Sequence, residues 1–266
     1  MERLERTQVD SGRERRFVFD EVADVYARAR PSYPAALIDD VIREAKLRPG
    51  SRILELGSGP GNATVLFSGR GFQIVCLEPG GRLAALARRR VAANHDTRII
   101  ATTFETWQIG TERFALVFAA QSFHWMDPAT RFSKAAQALE PDGALAVFAN
   151  RALRGTDAID LRIQEVYEAH APHLGSESRS RNTREHFLEL FADAPEFRMA
   201  DCHEYPWHAE YTAAEYTDLA QTHSDHRILP ASQLRAVLDG TRAAIEEGGG
   251  TYGVDYLAVL CVAHRI

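Results

Sequence analysis

Between residues 52 and 149, short apolar runs alternate with longer segments of helical periodicity, and no other feature limits the fold as strongly. The runs at 52–56, 73–77, 98–101, 114–120 and 144–149 are expected to be strands, and 62–68, 81–92 and 128–139 the intervening helices. Runs such as Ile53-Leu54 place apolar side chains on both faces, which suits strands covered by helices on both sides. Strand–helix–strand repetition predicts a doubly wound α/β fold with a mostly parallel sheet.

The flanking segments are expected to complete a single domain spanning residues 1–266. An entry segment, 1–34, contains a predicted helix over 19–29, and the helix over 35–46 opens a core that extends to residue 150. Residues 151–196 are expected to form a helical insertion after the fifth strand. Residues 197–266 add strands at 197–211 and 256–262 and helices at 213–220 and 232–247, which brings the predicted sheet to seven strands.

Composition argues against several classes of function. The chain has 266 residues, 45% of them hydrophobic, and a formal net charge of −6. It therefore lacks the basic surplus typical of nucleic-acid-binding proteins. No apolar stretch is long enough to span a membrane, and the charged N-terminus does not resemble a signal peptide, so we expect a cytoplasmic protein without a membrane partner. A monomer and a homodimer are both compatible with the sequence.

Cysteine and histidine spacing predicts neither disulfides nor a metal site. The cysteines are odd in number and far apart, and Cys76 and Cys261 lie within apolar runs typical of packed core thiols. Cys202 has no second cysteine at the spacing of a metal-binding pair. Metal-ligand spacing to cysteines or carboxylates is also lacking for four histidines, His170, His173, His203 and His208.

A glycine-rich loop follows the first expected strand, in the segment Glu55-Leu-Gly-Ser-Gly-Pro-Gly61. Glycines allow the backbone to turn tightly and to approach a ligand closely, and the following helix offers free N–H groups. Glu78 ends the second strand, where an acid can accept hydrogen bonds from both hydroxyls of an adenosine ribose. The order strand, loop, helix, strand, acid predicts a nucleoside site at the carboxyl edge of the sheet.

The same loop leaves two alternatives open. The dinucleotide fingerprint G-x-G-x-x-G would need a glycine where Asn62 stands, and the additional glycine is one position earlier, at Gly61. An NAD-dependent oxidoreductase stays one alternative, although the loop matches its fingerprint imperfectly. A protein that binds the adenosyl ligand without turnover is the other, because a binding loop does not by itself establish catalysis.

The loop together with Glu78 resembles the signature of class I S-adenosylmethionine-dependent methyltransferases. This resemblance implies S-adenosylmethionine as the cofactor and S-adenosylhomocysteine as the product. It also implies that segments following all four of the first strands contact the cofactor. The residues so assigned are Glu55, Gly57, Ser58, Gly59, Gly61, Asn62, Glu78, Pro79, Thr103, Phe104, Glu105, Gln121 and Ser122, and the entry segment of the subgroup described next adds Tyr26 and Arg30.

Outlying motifs resemble a subgroup of small-molecule methyltransferases similar to trans-aconitate methyltransferase. They are the segment 19–26, Arg30-Pro-Ser-Tyr-Pro34, Ser122-Phe-His-Trp125 and the tripeptide 222–224. The resemblance implies a small-molecule acceptor and an entry segment that folds over the cofactor. It also implies that His124 and Trp125 border the acceptor. His124 is a candidate general base because histidine titrates near neutrality, and its alternative is a purely structural role.

Overall fold

The structure is a computed structural model that describes residues 18–174 and 183–266. The strands are β1 Arg52–Leu56, β2 Gln73–Leu77, β3 Thr97–Ile100, β4 Phe114–Ala120, β5 Leu139–Ala152, β6 Phe197–Thr212 and β7 Thr251–Arg265. The helices are α1 Val18–Glu21, α2 Ala23–Ala29, α3 Ala35–Glu44, α4 Thr64–Phe67, α5 Gly81–Arg90, α6 Arg131–Ala138, α7 Ala158–His170, α8 Arg184–Ala192, α9 Ala213–Ala220, α10 Ser224–Arg227 and α11 Ala231–Glu247, with 3₁₀ turns at Phe123–Trp125 and Pro172–Leu174.

All seven strands form one sheet in the order β3-β2-β1-β4-β5-β7-β6. Neighbouring strands from β3 to β5 pair in parallel, whereas β7 runs antiparallel to both β5 and β6. The chain starts at the centre, builds outward to β3, and then crosses to β4 on the other side of β1. The predicted doubly wound, mostly parallel α/β fold is confirmed, and its switch point lies between β1 and β4, where ligands bind in such sheets.

Helices cover both faces of this sheet, as the two-sided apolar runs predicted. On one face, α3, α4 and α5 pack against alternate strand residues, among them Ile53 and Phe118. On the other face, α6 and α8 cover the intervening residues, such as Leu54 and Val117. Because adjacent strand residues point to opposite faces, one strand contributes to both cores. This rigid frame fixes the positions of the loops that follow the strands.

The predicted helical insertion, 151–196, is divided between two packing sites. Helix α7 packs against α11, where Val166 lies over Gly240, while the Tyr252 hydroxyl donates to Asp160 at 2.5 Å. Helix α8 instead buries Phe187 and Phe191 in the main core beside the sheet. The longest described helix, α11, has 17 residues, and no helix in the described ranges is long and apolar enough to cross a membrane.

Some predicted boundaries were wrong because tertiary pairing extends or shortens elements beyond their local pattern. The helix expected over 62–68 is reduced to the four residues of α4, since the glycine loop occupies its beginning. The strand expected over 256–262 extends to fifteen residues, because β6 pairs with it from Thr251 to Arg265. The strand expected at 144–149 begins at Leu139, with a register shift opposite Phe114 and Leu116.

The prediction that the cysteines form no disulfide was wrong. Cys202 and Cys261 are bonded, with a Cα–Cα distance of 4.2 Å, although 59 positions separate them in the chain. The reason is the register of β6 and β7, which places the two residues directly opposite each other. Cys76 is free and buried, as expected.

Reduction of this disulfide should lower the free energy of unfolding by about 2–4 kcal/mol. Opening a long loop restores conformational freedom to the unfolded chain. Urea unfolding with and without dithiothreitol measures the difference, and the double variant Cys202→Ser with Cys261→Ser should show no response to the reductant. Equal midpoints for the wild-type protein in both buffers would contradict this expectation.

Candidate functional site

Two adjoining clefts open where β1, β2, β3 and β4 end at the carboxyl edge of the sheet. The first has a volume of about 620 Å³ and the second about 380 Å³. The clefts share the glycine loop, the side chain of Tyr26 and the start of the loop after β4. The predicted site residues in the first cleft are Tyr26, Gly57, Gly59, Glu78, Pro79, Thr103, Phe104, Gln121, Ser122 and Trp125, and those found only in the second are Arg30, Glu55, Ser58 and Asn62.

The glycines of the loop fulfil different requirements. Gly57, Gly59 and Gly61 have φ values of +66°, +56° and +86°, in the left-handed region that favours glycine. A Cβ at Gly57 would also lie 2.8 Å from the Ser122 Cβ. Gly61 lines neither cleft and lies against helix α5, where its Cβ would meet the Ala87 Cα at an ordinary contact distance of 3.5 Å. The first two glycines therefore shape the clefts, whereas the third is favoured by its backbone conformation alone.

Glu78 connects the end of β2 to the glycine loop. Its carboxylate accepts hydrogen bonds from the backbone N–H of Gly59 at 2.8 Å and of Gly80 at 2.7 Å. Burial raises the pKa of Glu78 to about 7, although both hydrogen bonds favour the charged form. An acid at the wall of the first cleft is thus positioned to accept hydrogen bonds from ligand hydroxyls.

Glu55 lies deeper, beneath the second cleft. The Thr64 hydroxyl donates to its carboxylate at 2.5 Å, and the Cys76 thiol donates to the same oxygen at 3.4 Å. Burial raises the pKa of Glu55 to about 8. The side chain therefore supports the loop from below while one part of it still borders the second cleft.

The ligand-free protein should lose stability as the pH rises from about 5 to 8. Both buried acids have a folded-state pKa above the ordinary value of 4.5, so the folded state binds more protons than the unfolded state in this window. Each group then lowers the free energy of unfolding by up to about 1.4 kcal/mol per pH unit. Urea unfolding between pH 5 and 8 measures the slope. Glu55→Gln should flatten it, the exposed control Glu140→Gln should not, and a wild-type slope of zero or of opposite sign would contradict the assignment.

The entry segment closes one side of both clefts. The Arg30 guanidinium lies over the Tyr26 ring at 5.0 Å and donates to the carbonyl oxygen of Thr222 at 2.8 Å. Phe19 packs edge-on against Tyr26 and Trp125. Tyr26 and Arg30 therefore lie beside the glycine loop, which is the location that the resemblance implies for them.

A hydrogen-bond network holds the loop after β4. Gln121 has a left-handed backbone, with φ +55°, and lines both clefts. Its side chain accepts from the Tyr33 hydroxyl at 3.3 Å and donates to the carbonyl oxygen of Asn150 at 3.4 Å. The amide of Asn150 in turn donates to Ser32 at 2.8 Å and accepts from the Trp207 indole at 3.2 Å. This network links the entry segment, the site loop and β6.

Besides Gly61, two predicted site residues lie outside both clefts. His124 is exposed, and its ring packs against Trp125 at 4.6 Å between centroids. Glu105 accepts a hydrogen bond from the backbone of Asp127 at 3.1 Å and so braces the loop after β4. Their predicted roles in catalysis and cofactor binding stay predictions that the cleft geometry does not favour.

Sequence reasoning missed several residues of the site. Tyr33 and Phe19 line the clefts, and the only signal available was their position in the aromatic entry segment. Asn150 follows the fifth expected strand, and nothing local indicated that it would meet Trp207. The group formed by His223, Asp225 and His226 directly follows Thr222, and the spacing of its histidines was the available signal.

Comparison with known proteins identifies the central region. Residues 53–143 match the family model described as a methyltransferase domain. An uncharacterized methyltransferase of Mycobacterium bovis is 31% identical over 140 residues, which cover 53% of this chain and 55% of that protein. The match thus spans about half the length of that relative.

Solved structures support the fold at low sequence identity. A type II methyltransferase candidate from Anaeromyxobacter dehalogenans superposes with a TM-score of 0.63 at 17% identity, covering 89% of this chain and 97% of that one. A phosphoethanolamine N-methyltransferase of Haemonchus contortus, in complex with phosphomonomethylethanolamine and S-adenosylhomocysteine, gives a TM-score of 0.54 at 14% identity, covering 92% and 57%. At these identities the similarity establishes the Rossmann-like methyltransferase fold.

Proposed function

We propose that this protein is a class I S-adenosylmethionine-dependent methyltransferase and that it transfers the methyl group of S-adenosylmethionine to a small-molecule acceptor. The observation that carries the proposal is the pairing of Glu78 with the glycine loop. A carboxylate at the end of β2 contacts the Gly59 amide, beside two joined clefts of a size suited to an adenosyl ligand.

The residues present fit this cofactor. Glu78 is placed to accept hydrogen bonds from the ribose hydroxyls, with Phe104 and Pro79 as walls for the adenine in the first cleft. The second cleft has the polar groups expected around the methionine end. These include the Ser58 hydroxyl and the Nε of Arg30, both buried and without a hydrogen-bond partner among the described residues. Buried polar groups of this kind are normally paired, so a ligand is expected to satisfy them.

Catalysis in this proposal rests on positioning. The cofactor supplies a methyl group already activated by a positively charged sulfur. The protein must then align the acceptor with it and exclude water, and alignment of this kind contributes about 7–11 kcal/mol at best. Gln121, held in a left-handed conformation at the junction of the clefts, is the side chain best placed to orient the acceptor. His124 remains only a candidate base, since it lies outside both clefts.

A small acceptor is favoured over a macromolecule. The clefts are narrow, the net charge is −6, and the Haemonchus neighbour is a methyltransferase crystallised with a small phosphorylated amine. Membership of the subgroup similar to trans-aconitate methyltransferase remains part of this proposal. So does a cytoplasmic location.

The test is methyl transfer from tritiated S-adenosylmethionine to pooled small acids, amines and phenols, with mass spectrometry of labelled products. We expect labelled small molecules that disappear with the variant Glu78→Ala. Cofactor binding without transfer to any pool would favour the non-catalytic alternative. Binding of NAD in place of the adenosyl ligand would favour the oxidoreductase alternative.

A further inference from the structure

A group of three potential metal ligands lies beside the clefts but belongs to neither. One ligand atom each from His223, Asp225 and His226 lies within 4.8 Å of the other two. Ligand atoms of one tetrahedral zinc ion, bound at roughly 2.0–2.2 Å, lie roughly 3.3–3.6 Å apart, so side-chain shifts of about 1 Å would close the group around an ion. Two imidazoles and one carboxylate form a donor set that suits divalent transition metals.

Contacts to both ring nitrogens of His226 hold its imidazole in an orientation that suits a metal ligand. This residue is buried, and its Nε2 lies 2.6 Å from the Tyr167 hydroxyl. When Nε2 carries the proton and donates to that hydroxyl, Nδ1 presents a lone pair to the Asp225 carboxylate, 2.9 Å away. Two acceptors facing each other at that distance need either a proton or a metal ion between them. Hydrogen bonding of the outer ring nitrogen is also the usual support of a metal-binding histidine.

The third ligand is accessible and close to the proposed active site. His223 is half-buried, and its ring lies 5.3 Å from that of His226. The preceding residue, Thr222, accepts the hydrogen bond from Arg30 at the wall of the second cleft. The nearby guanidinium opposes a cation and limits the affinity.

We propose that His223, Asp225 and His226 bind a divalent transition metal ion, with Zn²⁺ as the matching ion and Tyr167 as the supporting partner. Three protein ligands leave a coordination position open, as in zinc sites that bind a water or another small ligand. The alternative is a hydrogen-bond relay from Asp225 through His226 to Tyr167, in which the proton on Nδ1 takes the place of the ion.

The experiment is calorimetric titration of the chelator-treated full-length protein with zinc chloride, supported by the visible absorption of bound Co²⁺. We expect one ion per chain with a Kd in the micromolar range or below. His223→Gln and Asp225→Asn should each weaken binding at least tenfold, and Tyr167→Phe should weaken it by about 10- to 100-fold. His208→Gln is the matched control, because His208 pairs with Asp255 at 2.7 Å on the exposed surface.

Two results would overturn the proposal in favour of the hydrogen-bond relay. One is that the wild-type protein binds no zinc, and the other is that the His223→Gln and Asp225→Asn variants bind zinc with the same affinity as the wild type. Titration of the same samples with S-adenosylhomocysteine separates this result from the proposed function. Loss of zinc binding with intact adenosyl binding concerns the metal site alone. Absent adenosyl binding with intact zinc binding concerns the proposed function alone.

Discussion

Replacing Glu78 with alanine should weaken binding of S-adenosylhomocysteine by roughly 30- to 150-fold, or about 2–3 kcal/mol. The carboxylate is buried at the wall of the first cleft, and a hydrogen bond to a charged group contributes more than a neutral one. The variant also loses the contact to the Gly59 amide, so the loop that shapes both clefts becomes less well positioned. Calorimetric titration at pH 8 measures the change in Kd.

Two comparisons make this result specific to Glu78. Glu140→Ala removes an exposed acid and should leave the Kd unchanged. For the wild-type protein, affinity should rise as the pH increases through about 7, because the pKa of Glu78 is about 7 and the ionised form is the better acceptor. Equal affinities for wild type and Glu78→Ala, with both proteins folded, would remove Glu78 from the binding site.

The variant Gly57→Ala should be destabilised by about 2–5 kcal/mol. The residue has a left-handed backbone, which costs a side chain roughly 1–2 kcal/mol, and its Cβ would lie 2.8 Å from the Ser122 Cβ. Ser122 cannot easily move away, since it is buried and its hydroxyl donates to the carbonyl oxygen of Leu56. Overpacking of this kind typically adds about 1–3 kcal/mol.

Gly59→Ala is the matched control for this prediction. Gly59 has a similar φ, but the nearest atom to its Cβ would be on Tyr26, at an ordinary contact distance of 3.9 Å. We expect only the backbone cost, about 1–2 kcal/mol. Chemical unfolding of both variants separates strain from collision. If the two variants were equally stable, the close approach of Gly57 to Ser122 would not hold.

The fold could be predicted because its signal is local. Apolar runs such as 52–56 and 114–120 coincide with β1 and β4, since strands buried on both faces need apolar side chains on both faces. The parallel order then follows from the alternation with helices. The disulfide could not be predicted, because it depends on the register of β6 and β7, which pairing across 59 positions determines.

The site could be predicted only to the level of the loops that form it. Glu55 is the penultimate residue of β1 and Glu78 directly follows β2, and the pattern assigned both to the cofactor. The two acids differ in the direction of their side chains. Glu78 borders the first cleft, whereas Glu55 accepts a hydrogen bond from Thr64 beneath the second. His124 and Trp125 are neighbours in sequence, yet the 3₁₀ turn at Phe123–Trp125 brings only Trp125 to the cleft. Side-chain direction in a loop depends on contacts that sequence spacing does not reveal.

We propose that the two joined clefts hold S-adenosylmethionine. The most direct test is calorimetric titration of the wild-type protein with S-adenosylmethionine and S-adenosylhomocysteine, with NAD in parallel. We expect one adenosyl ligand to bind per chain at micromolar affinity, and no measurable binding of NAD. Absence of adenosyl binding, or binding of NAD instead, would contradict the proposed function and leave the methyltransferase fold without its cofactor.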